Sequence, residues 1–253
     1  MFKEYFIVFL LGHILGDFYL QSDKMARNKE QSIRWVFIHG MVYLTSMIFV
    51  ILPFISYELV KGVILASILH FLIDIIKYIY FSKIITRANK SIELERDIFF
   101  LDQALHFICL VIVAYLLAYS NELVIRFNWI EMFFYISNIQ VMKLLSWILA
   151  LLIAHKPANI VIQNLLKKYK VEEEKTDKNN DKNAGRFIGT VERIIMLIFL
   201  SIKEFSAIGL VLTAKSIARY DKISKDKDFA EYYLLGTLIS TTLAIVTSLL
   251  TLT

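Results

Sequence analysis

The feature that most constrains this chain is a series of long apolar runs with almost nothing to interrupt them. Runs near Tyr5–Leu20, Ile33–Ile55, Leu59–Phe81, Ile98–Tyr119 and Met132–Ala154 approach or exceed the roughly 20 residues a helix needs to cross bilayer hydrocarbon. Two more follow: Val191–Ala214, interrupted by Lys203 and Glu204, and Tyr232–Leu252. Only two prolines and eight glycines punctuate 253 residues, of which 57% are hydrophobic. That composition suits long helices, and the ten-residue alternation of a membrane β-barrel is absent from the sequence. The expected fold is all-α, a polytopic transmembrane helical bundle of about six to seven membrane segments.

Polar stretches divide the chain. Residues 171–184 (VEEEKTDKNNDKNA) have no apolar period and read as a flexible charged linker. The expected organisation is a five-span region over 1–170, the linker over 171–185, and a C-terminal membrane region over 186–253 with one or two spans and a basic loop. Asn159–Lys170 reads as a short amphipathic helix at the membrane surface. The first run has the length of a signal peptide, but it lacks a small-residue cleavage site and is expected to be retained.

The formal net charge of +5 does not point to nucleic acid, because the basic residues collect in a few loops. Lys24, Arg27, Lys29 and Arg34 follow the first run, and Lys83, Arg87, Lys90 and Arg96 follow the third. Six lysines from Lys167 to Lys182, with Arg186, follow the fifth. The intervening loops carry little beyond Lys61 and Arg126. Excess Lys and Arg mark cytoplasmic loops, so the N-terminus is expected outside and the three basic loops inside. A single crossing over Val191–Ala214 would put the basic stretch Lys215–Lys227 outside, whereas a bend at Lys203-Glu204 would keep it in; the sequence allows both.

The chemistry lies in the histidines. Four of the five (His13, His39, His70 and His106) fall in four successive apolar runs. Three have an aspartate one helical turn away, as His13-x-x-x-Asp17, His70-x-x-x-Asp74 and Asp102-x-x-x-His106. Residues i and i+4 share a helix face, so each pair offers an imidazole and a carboxylate together. Run positions place all seven groups in the cytoplasmic half of the bilayer. Ionisable residues at that depth are expensive unless paired or ligated. Imidazole and carboxylate donors suit Zn²⁺, Mn²⁺ or Fe²⁺, as one ion with outer partners or as two. The competing reading is hydrogen bonding between helices, or a proton relay. The lone Cys109 excludes a disulfide framework and a thiolate cluster. His155 stands at a run's end beside Lys156-Pro157, with no carboxylate one helical turn away in sequence, and reads as interfacial.

Lys77, one turn beyond Asp74, either snorkels or binds an anionic headgroup. Lys215 and Arg219 share a helical face and offer a second grip for phosphate or anionic lipid, with a solvated basic helix as the alternative. Gly236-Thr237 and Ser240-Thr241-Thr242 permit close helix packing.

Gly12-His13 through Asp17-Phe18-Tyr19-Leu20-Gln21, His39, His70-x-x-x-Asp74 and Asp102-Gln103-x-x-His106 resemble, in order, the motifs of a bacterial membrane family catalogued as domain of unknown function thirty-three-zero-seven. The resemblance covers roughly residues 1–125. GRFIGTVER, AKSIARY and EYYLLGTLIS resemble the C-terminal extension of its longer members. It implies a multi-pass protein of the bacterial inner membrane and no established activity. The HxxxD helices are also similar, more distantly, to membrane-bound metal-dependent hydrolases.

The expected function is therefore metal-dependent hydrolysis of a lipid, lipid-linked phosphate or other amphiphile at the cytoplasmic leaflet. His13, His39, His70 and His106 are the expected ligands. Asp17, Asp74 and Asp102 are expected as ligand, base or orienting group. The alternative is a non-enzymatic membrane protein: a metal or proton transporter, or a sensor that binds a partner. The oligomeric state is not legible in the sequence.

Overall fold

A computed structural model describes residues 1–83, 91–119, 125, 127–169 and 180–253. Regular structure among them is helical throughout. Helix α1 (Phe2–Ile14) runs into a wider π-type turn, Leu15–Leu20. The chain then bends by 96° into α2 (Asp23–Lys29), whose first turn is capped by Ser22 accepting from the Met25 amide at 3.2 Å. Helices α3 (Ile33–Ile51), α4 (Tyr57–Lys83) and α5 (Ile92–Ala118) follow, Ser91 capping the last. The short α6 (Asn128–Ser137) precedes α7 (Val141–Leu166). The remaining helices are α8 (Asn180–Ser201), α9 (Phe205–Ala218), α10 (Tyr220–Lys225) and α11 (Lys227–Thr251), the last capped by Asp226.

Five of these elements are long and apolar enough to cross a membrane, and the bent α1–α2 pair makes a sixth when taken as one span. The chain is a multi-pass membrane protein. Its burial pattern agrees: on α4, His70 and Asp74 are each 2% exposed while Leu72 is 48% and Ile76 66% exposed. Polar groups face inward and aliphatic groups outward, which suits lipid and not water.

Two expected spans are corrected. The run Met132–Ala154 is broken at Asn138, which takes a left-handed conformation (φ 53°) while the Ile139 amide reaches back to the Phe134 carbonyl at 3.3 Å. That is a Schellman-type stop, and asparagine tolerates it better than most residues. The run Val191–Ala214 stops the same way at Lys203 (φ 62°), with the Glu204 amide on the Phe199 carbonyl at 2.9 Å. The helix break thus falls at Lys203-Glu204, where charge interrupts the run in the sequence. The surface helix expected over Asn159–Lys170 is instead largely the second half of α7, which continues through Pro157. Proline removes one intrahelical bond and crowds the turn before it. Here the Asn159 side-chain amide donates to the His155 carbonyl at 2.7 Å and the Arg193 Nε to the Ala154 carbonyl at 2.8 Å, so carbonyls around the break find partners. Residues 171–179 of the expected linker, and Arg87, Lys90, Arg126 and Lys175 in the loops, lie outside the described residues; from Asn180 onward the stretch is helical.

Two compact units are formed, Met1–Leu149 and Ala150–Thr253, a division inside α7, whereas composition divides the sequence at residue 170. In the first, α1, α3, α4 and α5 pack together. Gly12 and Gly16 let α1 and α3 approach: a Cβ on Gly16 would lie 2.8 Å from Ser46 Oγ and 2.9 Å from Tyr43 Cδ2. Gly16→Val is therefore expected to lower stability by about 1–3 kcal/mol, the usual cost of overpacking. Thermal unfolding in detergent is the check, and a midpoint equal to wild type would mean that the close approach is dispensable.

In the second unit, Arg193 is the organising side chain, 1% exposed. Besides the Ala154 carbonyl, it donates to Ser240 Oγ (3.1 Å), Asn159 Oδ1 (2.8 Å) and Thr190 Oγ1 (3.3 Å). Beneath it Met196, Ile208 and Ala244 form a small apolar core with Phe199, Leu200 and Leu212.

Candidate metal centre

All seven His and Asp residues singled out in the sequence come together inside the first unit, each under 10% exposed. α1 supplies His13, the π-type turn Asp17, α3 His39, α4 His70 and Asp74, and α5 Asp102 and His106. The π-type turn matters because it rotates Asp17 away from the position an α-helix would give it; such turns recur at functional sites. His13 Nε2 and Asp17 Oδ2 are 4.0 Å apart, too far for a hydrogen bond. Asp17 Oδ1 instead meets His70 Nε2 at 2.8 Å and His39 Nε2 at 3.1 Å, while Oδ2 lies 3.8 Å from His106 Nδ1. The bonded partners are thus on other helices, not one turn away.

The other two carboxylates are held by lysines. Lys29 Nζ, from α2, grips Asp74 at 2.8 and 2.9 Å. Lys77 Nζ donates to Asp102 Oδ2 at 2.8 Å, with Gln103 Nε2 at 3.4 Å from the same oxygen. Lys77 therefore turns inward to a counter-ion. Among the described residues, the groups within ion-pair distance of Asp17 are all imidazoles. The rings are tightly arranged: His70 stacks on Tyr43 at 3.7 Å and on His106 at 4.1 Å, and His13 lies 5.4 Å from His106 and 5.9 Å from His70.

Three overlapping groups offer one donor atom per residue with all donors within 4.8 Å of one another: His13, Asp17, His70 and His106; His39, His70 and Asp74; Asp74, Asp102 and His106. The first combines three imidazoles and one carboxylate from two segments of the first span and from α4 and α5. Among the described residues, His13 Nδ1, His39 Nδ1, His70 Nδ1, both His106 nitrogens and Asp102 Oδ1 are buried with no hydrogen-bond partner. Buried polar atoms are nearly always satisfied, so a cluster of orphans in one place fits a missing ligand. The donor types and the orphaned atoms both fit a borderline divalent cation.

Sequence reasoning missed Lys29, Tyr43 and Gln103 as site residues. Lys29 reads as one more basic loop residue, and only the bend after Leu20 carries it back to Asp74. Nothing local in the sequence signals that.

The C-terminal polar residues form a separate arrangement within the second unit. Lys215 Nζ lies 2.6 Å from Glu192 Oε2 and 3.2 Å from Thr237 Oγ1, while Arg219 is exposed. The three segments GRFIGTVER, AKSIARY and EYYLLGTLIS supply Thr190, Glu192, Arg193, Lys215, Thr237 and Ser240, and the fold gathers all six into polar contacts.

Helices of this length with a buried His/Asp cluster define a polytopic helical membrane protein built around an internal polar site. The family model described as "Protein of unknown function (DUF3307)" matches residues 5–134, just over half of the chain, and the protein belongs to that family. All seven clustered residues fall inside the matched stretch, and the Glu192–Arg193–Lys215 arrangement falls outside it. No curated protein and no solved structure matches the chain.

Proposed function

We propose that the N-terminal unit binds a divalent zinc, manganese or iron ion and uses it to hydrolyse an amphiphile, such as a lipid or lipid-linked phosphate, drawn from the bilayer. The observation that carries this reading is the group His13, Asp17, His70 and His106, four buried residues with one donor atom each inside 4.8 Å. These residues would hold the ion. His39, hydrogen-bonded to Asp17, orients that carboxylate, and Asp74, 3.7 Å from His70 Nδ1 and beyond hydrogen-bond reach, places a negative charge beside the His70 ring. A divalent ion bound there supplies Lewis acidity and a water acidified toward neutral pH. Asp102 keeps Oδ1 free while Lys77 holds Oδ2, so Oδ1 is the atom placed to accept a proton during hydrolysis.

The orientation we assign puts the N-terminus outside and the loop around Arg27 in the cytoplasm of a bacterial inner membrane, from its Lys and Arg excess. A cysteine replacing Arg27 in a Cys109→Ala background is expected to resist labelling by an impermeant maleimide in intact cells; labelling without permeabilisation would reverse the assignment.

The two inward-facing lysine–aspartate pairs, Lys29–Asp74 buried and Lys77–Asp102 with a half-buried lysine, favour a second reading, a metal or proton transporter, because such pairs mark ion pathways in membranes. Metal content and turnover separate the two. Detergent-purified wild type is expected to retain about one equivalent of metal, and His70→Ala to lose at least the roughly 10–100-fold in affinity that removal of a ligand's outer partner typically costs. Wild type that holds no metal after loading would sink both the metal site and the hydrolase. Phosphate or fatty-acid release from lipid micelles, lost in Asp102→Asn with metal retained, supports hydrolysis. Ion flux in proteoliposomes without any product release would favour transport.

A further inference from the structure

Among the described residues of the first unit, helix α6 is the element that buries no residue. It spans ten residues, so it rises only about 15 Å, half the thickness of bilayer hydrocarbon. The stop at Asn138 also separates it from α7, so it cannot serve as that span's first turns. Its residues nevertheless sort into three faces at 100° per residue. Trp129, Met132, Phe133 and Ile136 form an apolar stripe, 73%, 56%, 59% and 74% exposed. Asn128, Glu131 and Tyr135 form a polar stripe, also exposed. Ile130 and Phe134, both half-buried, form the third.

We infer that α6 lies in the plane of the membrane interface as a lipid-embedded anchor. Its stripe of Trp129, Met132, Phe133 and Ile136 enters the headgroup–acyl boundary while Glu131 and Tyr135 face water. A helix free in solution would not display four large apolar side chains at these exposures, and a helix spanning lipid would not carry a polar stripe along its length. The position supports the same occupant: α6 sits three residues before the start of α7, at the end of a membrane span, where the lipid surface around the spans continues directly onto it. Trp, Tyr and Phe are the residues concentrated at that level of a bilayer, and Lys143 and Trp147 on the first turns of α7 extend the same belt. α6 carries no lysine or arginine, so apolar burial and not anionic lipid drives the contact.

The test uses the full chain with Trp35→Phe and Trp147→Phe, which leaves Trp129 as the single tryptophan, reconstituted in phosphatidylcholine vesicles. Lipids brominated near the headgroup end of the acyl chain are expected to quench Trp129 fluorescence about twofold more than lipids brominated near its terminus. Circular dichroism equal to wild type confirms folding of the variant. Met132→Glu with Phe133→Glu in that background is expected to shift Trp129 emission to the red and remove most of the quenching. Absent quenching in the single-tryptophan protein, whether from exposure to water or from cover by a second copy, would overturn the inference. Stronger quenching by the deep probe would overturn it too, since α6 would then lie in the hydrocarbon core.

Discussion

Asp74→Asn is expected to destabilise the N-terminal unit by about 3–5 kcal/mol, the usual consequence of removing one partner of a buried ion pair. The i+4 spacing to His70 by itself predicts a milder result, since asparagine keeps the size and hydrogen bonding that a structural contact needs. The structure changes that expectation because both Asp74 oxygens are engaged by Lys29 Nζ, with Asp74 2% and Lys29 9% exposed. Amidation would leave an ammonium with no compensating charge among buried groups. Lys29→Met in the same chain is expected to restore most of the lost stability, and each single change to cost more than the pair of changes together. Thermal midpoints of wild type, both single variants and the double variant form the cycle that measures the coupling. A single Asp74→Asn variant as stable as wild type would show that the ion pair contributes nothing. Metal content read on the double variant separates the two roles of Asp74, because there the charge imbalance is gone and only the negative charge beside His70 is missing.

Arg193→Met is the second change with a large expected effect. It deletes hydrogen bonds to the Ala154 carbonyl, Asn159, Ser240 and Thr190, on α7, α11 and α8 itself, in one step. Each acceptor left buried and unpaired costs about 1–3 kcal/mol, and these losses are not additive, so a drop of roughly 3 kcal/mol or more is expected. Arg193→Lys should rescue little, because one ammonium cannot reproduce the planar fork that reaches carbonyl, amide and hydroxyl groups together. Thermal unfolding of both variants is the measurement, with metal content as a control expected to stay at the wild-type value, since none of the clustered His and Asp residues is touched. An Arg193→Met protein with an unchanged midpoint would mean the guanidinium is merely accommodated.

Run lengths and the scarcity of helix breakers determined the helical membrane class, because a bilayer demands internally satisfied backbone over about 20 apolar residues and leaves few other solutions. The matched positions of His13, His39, His70 and His106 along four runs determined that they would meet, since antiparallel neighbours bring equal depths together. Two breaks were only partly legible: Asn138 is a residue that adopts left-handed backbone readily, while Lys203 gives no such hint. Tertiary structure alone decided who bonds to whom. The i+4 spacing places His13 and Asp17 on one face, yet the π-type turn and the close approach at Gly12 and Gly16 hand Asp17 to His39 and His70. The 96° bend after Leu20 brings Lys29 to Asp74 across 45 positions of sequence. Spacing along a helix reports which side chains can share a face; which of them form bonds depends on the packing of the other helices, and no local pattern encodes that.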